Sequence, residues 1–246
     1  MRRRHILARG FRQQPVIDYD ETFAPVAKFQ SIRLILALAS MHDLELHRMD
    51  VKTAFLYGLL HEQVFKAQPD RFERGKNMVW KLDKSLYGLK QAPRAWYMEL
   101  DTSLKSLGFK RTISDHSIYV RDDSEGLIVV GVYVDDLTIA TAKLETLARF
   151  KNEMSKRYDM KDLGELHYIL GIQVKRDRKA RSLHLSQKQY ISTVLERFGM
   201  LHCKPIKPPL RSKAIMSLGK EGGENRPSSV LGSRWLAHVC RARNST

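Results

Sequence analysis

The four residues Tyr133-Val134-Asp135-Asp136, set between the apolar runs Leu127–Val134 and Leu137–Ala140, constrain this chain more than any other feature. Apolar runs of that length read as buried strands, and a two-residue connection between them makes a β-hairpin with both acids at its tip. Asp-Asp is an unusual hairpin turn, since the favoured type I′ turn takes Asn-Gly or Asp-Gly. Two adjacent carboxylates repel each other and raise a pKa unless a cation neutralises them. The pair therefore reads in two ways: acids kept for a purpose, or an exposed, solvated turn, Asp being a common turn residue.

A second acid bears on that choice. Residues Leu44–Val51 alternate roughly as a strand, and Asp50 falls at its end. Carboxylates from two strand ends can converge on hard cations such as Mg²⁺, which binds through a few carboxylates plus substrate phosphates. Such a trio suggests phosphoryl transfer, with two ions ~3.5–4 Å apart clamping the attacking and leaving oxygens. The alternative for Asp50 is a helix N-cap for Val51 onward. A third element is Ser85-Leu86-Tyr87-Gly88-Leu89-Lys90-Gln91-Ala92-Pro93-Arg94-Ala95-Trp96. Its glycine lets backbone approach a ligand, and a helix N-terminus near Lys90 and Arg94 suits an anion such as a nucleoside triphosphate. An ordinary loop-to-helix junction with Trp96 in the core is the other reading.

Charge supports an anionic partner. Lys plus Arg number 43 against 27 Asp plus Glu in 246 residues, a net charge of +16. Such a balance points to nucleic acid first and an anionic membrane surface second. No apolar run approaches the ~18–20 residues of a membrane span. Two cysteines, Cys203 and Cys240, exclude a disulfide scaffold or multi-Cys zinc module and suit a reducing compartment. Met1-Arg2-Arg3-Arg4-His5 lacks the apolar stretch of a secretory signal. It is Arg-rich, as transit peptides are, yet runs straight into sequence that reads as folded.

Spacing predicts the remaining elements. A helix follows Pro25, with Ser31 as cap and Ile32, Ile35, Leu36 and Ala39 on one face. Residues 53–60 read as a short helix, 78–82 as a strand and 92–107 as a helix with Pro93 in its first turn. Strands are expected at 117–120, 127–134 and 137–141, and an amphipathic helix at 143–158. A hairpin of 168–174 with 182–185 and a helix over 187–198 follow. Beyond Met200 the chain turns Pro-, Gly- and Lys-rich, and order there is not expected.

Several segments then occur in a telling order: Ala8-Arg9-Gly10-Phe11, Asp20-Glu21-Thr22-Phe23-Ala24-Pro25-Val26, Met49-Asp50-Val51-Lys52-Thr53-Ala54-Phe55-Leu56, Leu86 through Trp96, Tyr133-Val134-Asp135-Asp136, and Leu163 through Ile172. Together they resemble the reverse transcriptases of Ty1/copia-type LTR retrotransposons over roughly residues 6–210. The resemblance implies an α+β right-hand polymerase fold. Residues 1–48 would be partial fingers with the start of the palm. Residues 49–175 would be palm, with a fingers excursion at about 65–86, and 176–246 a connection or thumb remnant with a basic tail.

The resemblance also implies roles. Asp50, Asp135 and Asp136 would be catalytic, binding two Mg²⁺ ions (or Mn²⁺) with the Val51 carbonyl as a further ligand. Phe55 would be the gate that excludes a ribose 2′-OH, and Tyr87, Gly88 and Lys90 would lie beside the incoming dNTP. Tyr133 and Val134 would lie near the primer terminus, and Leu170-Gly171 would grip the primer. Lys161 would be either the lysine that protonates pyrophosphate or a surface lysine. Partners would be an RNA or DNA template with its primer, with no membrane, acting in a cytoplasmic particle or the nucleus. Arg3-Arg4-His5 stand where the family reads Lys-Ala-Arg, and Tyr57-Gly58-Leu59-Leu60 where it favours Asn-Gly and acids. These departures imply a fragment of a polyprotein or a decayed copy. The expected activity is RNA-directed DNA synthesis; the alternatives are an inactive nucleic-acid-binding remnant and a structural fragment.

Overall fold

Helix α1 (Phe29–Met41) forms because Ile32, Ile35, Leu36 and Ala39 recur on one face, and all four are buried. It starts ahead of the expected cap, with Ser31 inside its first turn. The cap comes from a distant loop instead. Asp115 accepts from the Lys28 N–H at 2.8 Å and also from Ser31. Burial pushes the Asp115 carboxyl up, but hydrogen bonds from Ser31, Lys28 and Ser117 outweigh it and hold it below the usual carboxylate value. The computed structural model describes residues 7–69, 72–75, 77–124 and 126–203; Arg3, Arg4, His5 and the basic tail from 204 lie outside them.

After α1 come β1 (Glu45–Val51), a 3₁₀ turn (Ala54–Tyr57), β2 (Leu59–Ala67), β3 (Val79–Lys84), α2 (Ala92–Ser106) and β4 (Lys110–Arg111). Then follow β5 (Ile118–Asp123), β6 (Gly126–Tyr133), β7 (Asp136–Thr141), α3 (Leu144–Arg157) and β8 (Met160–Glu165). Six of these strands form one antiparallel sheet in the order β4-β5-β6-β7-β1-β8. The alternation of each strand decides what covers it. Met49 and Val51 of β1, Ile128, Val130 and Val132 of β6, and Leu137 and Ile139 of β7 point to one face. They pack there against Trp96, Leu100 and Leu104 of α2 and Leu147, Phe150 and Met154 of α3. The other face of β6 meets α1, where the Ile35 side chain lies over Gly131. A mixed α+β unit with an antiparallel sheet between helices results.

Two expected elements differ, and two strands were not expected. Residues 53–60 hold a single 3₁₀ turn rather than a helix, and β2 then pairs with β3 as a separate two-stranded ribbon. In β2 only Val64 is buried, so no apolar alternation marks it in the sequence. Strand β8 is likewise polar, being the edge neighbour of β1. Residues 168–174 are not one strand. Strand β9 (Tyr168–Ile169) turns back into β10 (Ile172–Asp177) through Leu170 and Gly171, whose φ values of 49° and 76° make a two-residue left-handed turn.

A second compact unit comprises residues 168–175 and 184 onward. Its described part includes β9, the start of β10, the end of β11 (Ser182–Ser186) and α4 (Lys188–Arg197). There Leu195 is buried under Ile191, Val194, Met200 and Leu201. Among the described residues no helix is long and apolar enough to cross a membrane.

Candidate active site

The β6–β7 register pairs Tyr133 with Asp136, so the two residues of the hairpin loop are Val134 and Asp135, not the two acids. Val134 takes φ 58°. For a β-branched residue this left-handed conformation is strained by about 1–3 kcal/mol. Two contacts hold it. Trp96 of α2, itself buried, donates its indole N–H to the Val134 carbonyl at 2.7 Å, and the Val51 N–H donates to the Asp135 carbonyl at 2.9 Å. The loop is therefore fastened to α2 on one side and to the end of β1 on the other.

That fastening sets the acids against one another. Strands β1 and β7 pair antiparallel with Asp50 directly opposite Asp136. Asp50 is thus a strand residue and not a helix cap. Burial raises the Asp135 carboxyl above its ordinary value, and the charges of Asp136 and Asp50 raise it further. The three acids share one electrostatic site at two adjacent strand ends. Arg48 answers part of this charge. Its Nε donates to Asp136 Oδ1 at 2.8 Å, and its Nη2 to Oδ1 and Oδ2 at 2.6 and 2.7 Å.

The acidic side chains of the site are carboxylates, the donor type a hard divalent cation takes, with the Arg48 guanidinium among them. The arrangement differs from the expected convergence, because Asp136 is turned to Arg48. Among the described residues no group of three or more His, Cys, Asp or Glu side chains is gathered as a metal site.

Phe55 and Tyr87 stand together beside these acids. Phe55 lies in the 3₁₀ turn after β1, tied by the Ser85 hydroxyl to its carbonyl, and its ring centroid is 4.8 Å from that of Tyr87. Burial raises the Tyr87 phenol above its ordinary value, and the charges of Asp135 and Asp50 raise it further. Tyr133 and Val134 are half-buried at the hairpin tip. Lys161 of β8 pairs with Asp50 across the sheet and is exposed.

The Tyr87–Arg94 segment packs against the chain's own residues 8–21. Gly88 has φ 96°, and a Cβ there would sit 2.2 Å from the Ala8 carbonyl oxygen. The backbone that approaches Gly88 is the chain's own: the Ala8 N–H donates to Tyr87 O at 2.8 Å. The cations are engaged as well. Lys90 Nζ lies 5.1 Å over the Tyr19 ring, and Arg94 pairs with Glu21 at 2.6 Å. Leu170 and Gly171 are exposed in the second unit, which is described by itself. Sequence reasoning missed Arg48 and the hold of Trp96 on Val134. The spacing of Arg48 and Asp50, two apart on a strand, was the available signal for the first. The second is a tertiary contact with no local signal.

A family model described as reverse transcriptase (RNA-dependent DNA polymerase) matches residues 2–212. The chain is 45% identical over 247 residues to the Retrovirus-related Pol polyprotein from transposon TNT 1-94 of Nicotiana tabacum, covering 96% of this chain and 19% of that protein. It is 41% identical over 215 residues to the Retrovirus-related Pol polyprotein from transposon RE1 of Arabidopsis thaliana, covering 87% and 14%. It is 40% identical over 164 residues to the putative transposon Ty5-1 protein of Saccharomyces cerevisiae, covering 66% and 53%. The chain thus spans less than a fifth of the two plant polyproteins.

Proposed function

The chain belongs to the reverse transcriptase (RNA-dependent DNA polymerase) family, in its Ty1/copia-type Pol branch, and on that premise we propose that residues 49–175 carry a centre for DNA synthesis on an RNA or DNA template. The observation that carries this reading is the Asp50–Asp136 register beside the Val134-Asp135 loop. In the reaction the primer 3′-oxygen bonds to the α-phosphorus of a dNTP. The bond from that phosphorus to the leaving pyrophosphate breaks, and the hydroxyl proton passes to water. Asp50, Asp135 and Asp136, with the Val51 carbonyl, would hold two divalent ions, Mg²⁺ or Mn²⁺. Such ions supply charge stabilisation for the attacking and leaving oxygens when bound.

The remaining residues shape the site. Phe55, backed by Tyr87, limits the room for a 2′-hydroxyl. The Tyr87–Lys90 segment lies beside the nucleotide, Tyr133 and Val134 meet the primer end, and Leu170-Gly171 grips the primer strand. In this reading the six-stranded sheet with α2 and α3 is the palm, and the β2–β3 ribbon supports a fingers excursion at about 65–86.

A second reading, a nucleic-acid binder without synthesis, is favoured by one observation: Arg48 already occupies Asp136. Primer extension by the purified chain, with and without Mg²⁺, separates the two. Mg²⁺-dependent extension supports the polymerase. Tight duplex binding with no extension in either Mg²⁺ or Mn²⁺ supports the binder.

A further inference from the structure

Val134 keeps its left-handed backbone with its carbonyl held by the Trp96 indole N–H at 2.7 Å, so whatever orients the indole also sets the loop. Two tyrosines pack on it. The Trp96 ring lies 5.2 Å from that of Tyr158, edge-on at 82°, and 6.1 Å from that of Tyr57. The two tyrosine rings meet edge-on at 5.0 Å, which closes a triangle of three aromatic pairs. Edge-on and tilted contacts at these separations are the favoured ones between ring quadrupoles. Both tyrosines are pinned at their oxygens. The Tyr57 hydroxyl accepts the Asp159 N–H at 2.8 Å. The buried Tyr158 hydroxyl donates to Glu99 at 3.2 Å and bonds the Ser103 hydroxyl. Glu99 and Ser103 follow Trp96 on α2 at the spacing of one helix face. Burial pushes the Tyr158 phenol up to about 12, so it keeps its proton as a donor. Backbone closes the same junction. Tyr57 ends the 3₁₀ turn after β1, and a Cβ on the next residue, Gly58, would sit 2.7 Å from the Trp96 nitrogen.

We propose that Tyr57 and Tyr158 are positioning residues: by fixing the Trp96 indole they hold the Val134-Asp135 loop in the conformation that nucleotide incorporation uses. The role rests on the functional reading above. Each tyrosine acts through Trp96, and the loop that Trp96 fastens carries Asp135. Loss of one tyrosine ring removes two of the three pairs, and each pair is worth about two- to twelvefold in the balance between a held and a loosened indole.

The test measures, on the full chain, hydrogen exchange of the Trp96 indole N–H and single-nucleotide incorporation on a primer–template. The indole resonance is identified by its loss in Trp96→Phe. Tyr57→Leu and Tyr158→Leu are compared with Phe109→Leu, which thins the same core at the Phe109–Phe150 contact instead. Both tyrosine variants should exchange the indole proton roughly three- to thirtyfold faster than Phe109→Leu at matched stability. Their kcat should fall by a similar factor, with KM for the dNTP within about twofold of the wild type. Indole exchange no faster than in Phe109→Leu would overturn the proposal, whatever the catalytic rates. Faster exchange with kcat unchanged would overturn it too and leave the polymerase reading standing. No incorporation by the wild type despite duplex binding would overturn the polymerase reading, and the positioning role with it. Where a leucine variant does not fold, Tyr57→Phe decides, since it keeps the ring and removes the acceptor of the Asp159 N–H. Its indole proton should exchange severalfold faster than in the wild type, and an unchanged rate would overturn the proposal.

Discussion

At the scale of single residues the site depends on a strained valine held in place. Val134 has φ 58°, and the Trp96 indole accounts for much of what keeps it there. Trp96→Phe keeps most of the buried ring but leaves the Val134 carbonyl without this donor. We expect a loss of about 2 kcal/mol in urea unfolding, with a further drop in nucleotide incorporation as the loop relaxes. Phe55 gives a second residue-scale prediction. Phe55→Ala should admit rNTPs while leaving dNTP incorporation largely intact, read as the ratio of the two rates; an unchanged ratio would leave Phe55 a packing residue against Tyr87. Asp135 and Asp136 stood out in the sequence because acids between apolar runs are odd turn chemistry, and Asp50 because it falls at a strand end; that the loop itself is Val134-Asp135 was set by the β6–β7 register. Arg48 did not stand out, because its meaning depends on which strand lies beside β1.

Elements were legible in proportion to how much apolar surface they bury. Helices α1, α2 and α3 show their period in the sequence and strands β6 and β7 show as apolar runs, and each contributes to the core. The ribbon strand β2 and the edge strand β8 bury little, so nothing in their composition sets them apart from loop. The start of α1 was misplaced for another reason: its cap, Asp115, is remote in sequence. Asp115→Ala should therefore destabilise α1 by about 2–4 kcal/mol, more than a lost surface cap, since three backbone and side-chain donors lose their acceptor. Hydrogen exchange confined to the first turns of α1 would locate the effect. The junction before α2 makes a similar point. Gly88→Ala must force both a left-handed alanine and a clash with Ala8, so it should lower the urea midpoint and loosen residues 8–10 together.

At the scale of the whole molecule, charge and protons govern behaviour. With a net charge of +16, the chain should bind primer–template duplex with little sequence preference, and more weakly as salt rises. Acid should weaken the fold in two stages. Burial and then Lys151 lower the His47 pKa below 6.5. Below that value the unfolded chain binds a proton that the folded chain refuses, so stability falls as pH drops through the window under 6.5. Asp115 and Asp162 are lowered below 3.8, so their contribution is present above 3.8 and is lost further into acid. Asp135, raised, acts in the opposite sense and is relieved by protonation. His47→Gln should flatten the upper stage, seen as unfolding midpoints between about pH 5 and 7. If Asp50, Asp135 and Asp136 act as one catalytic centre, single-nucleotide incorporation measured beside duplex affinity in the wild type, Asp50→Asn and Asp135→Asn will show it. Each substitution should cut the rate by at least about a hundredfold while duplex binding holds or tightens. Incorporation at the wild-type rate by either variant, or none by the wild type itself despite intact duplex binding, would contradict it.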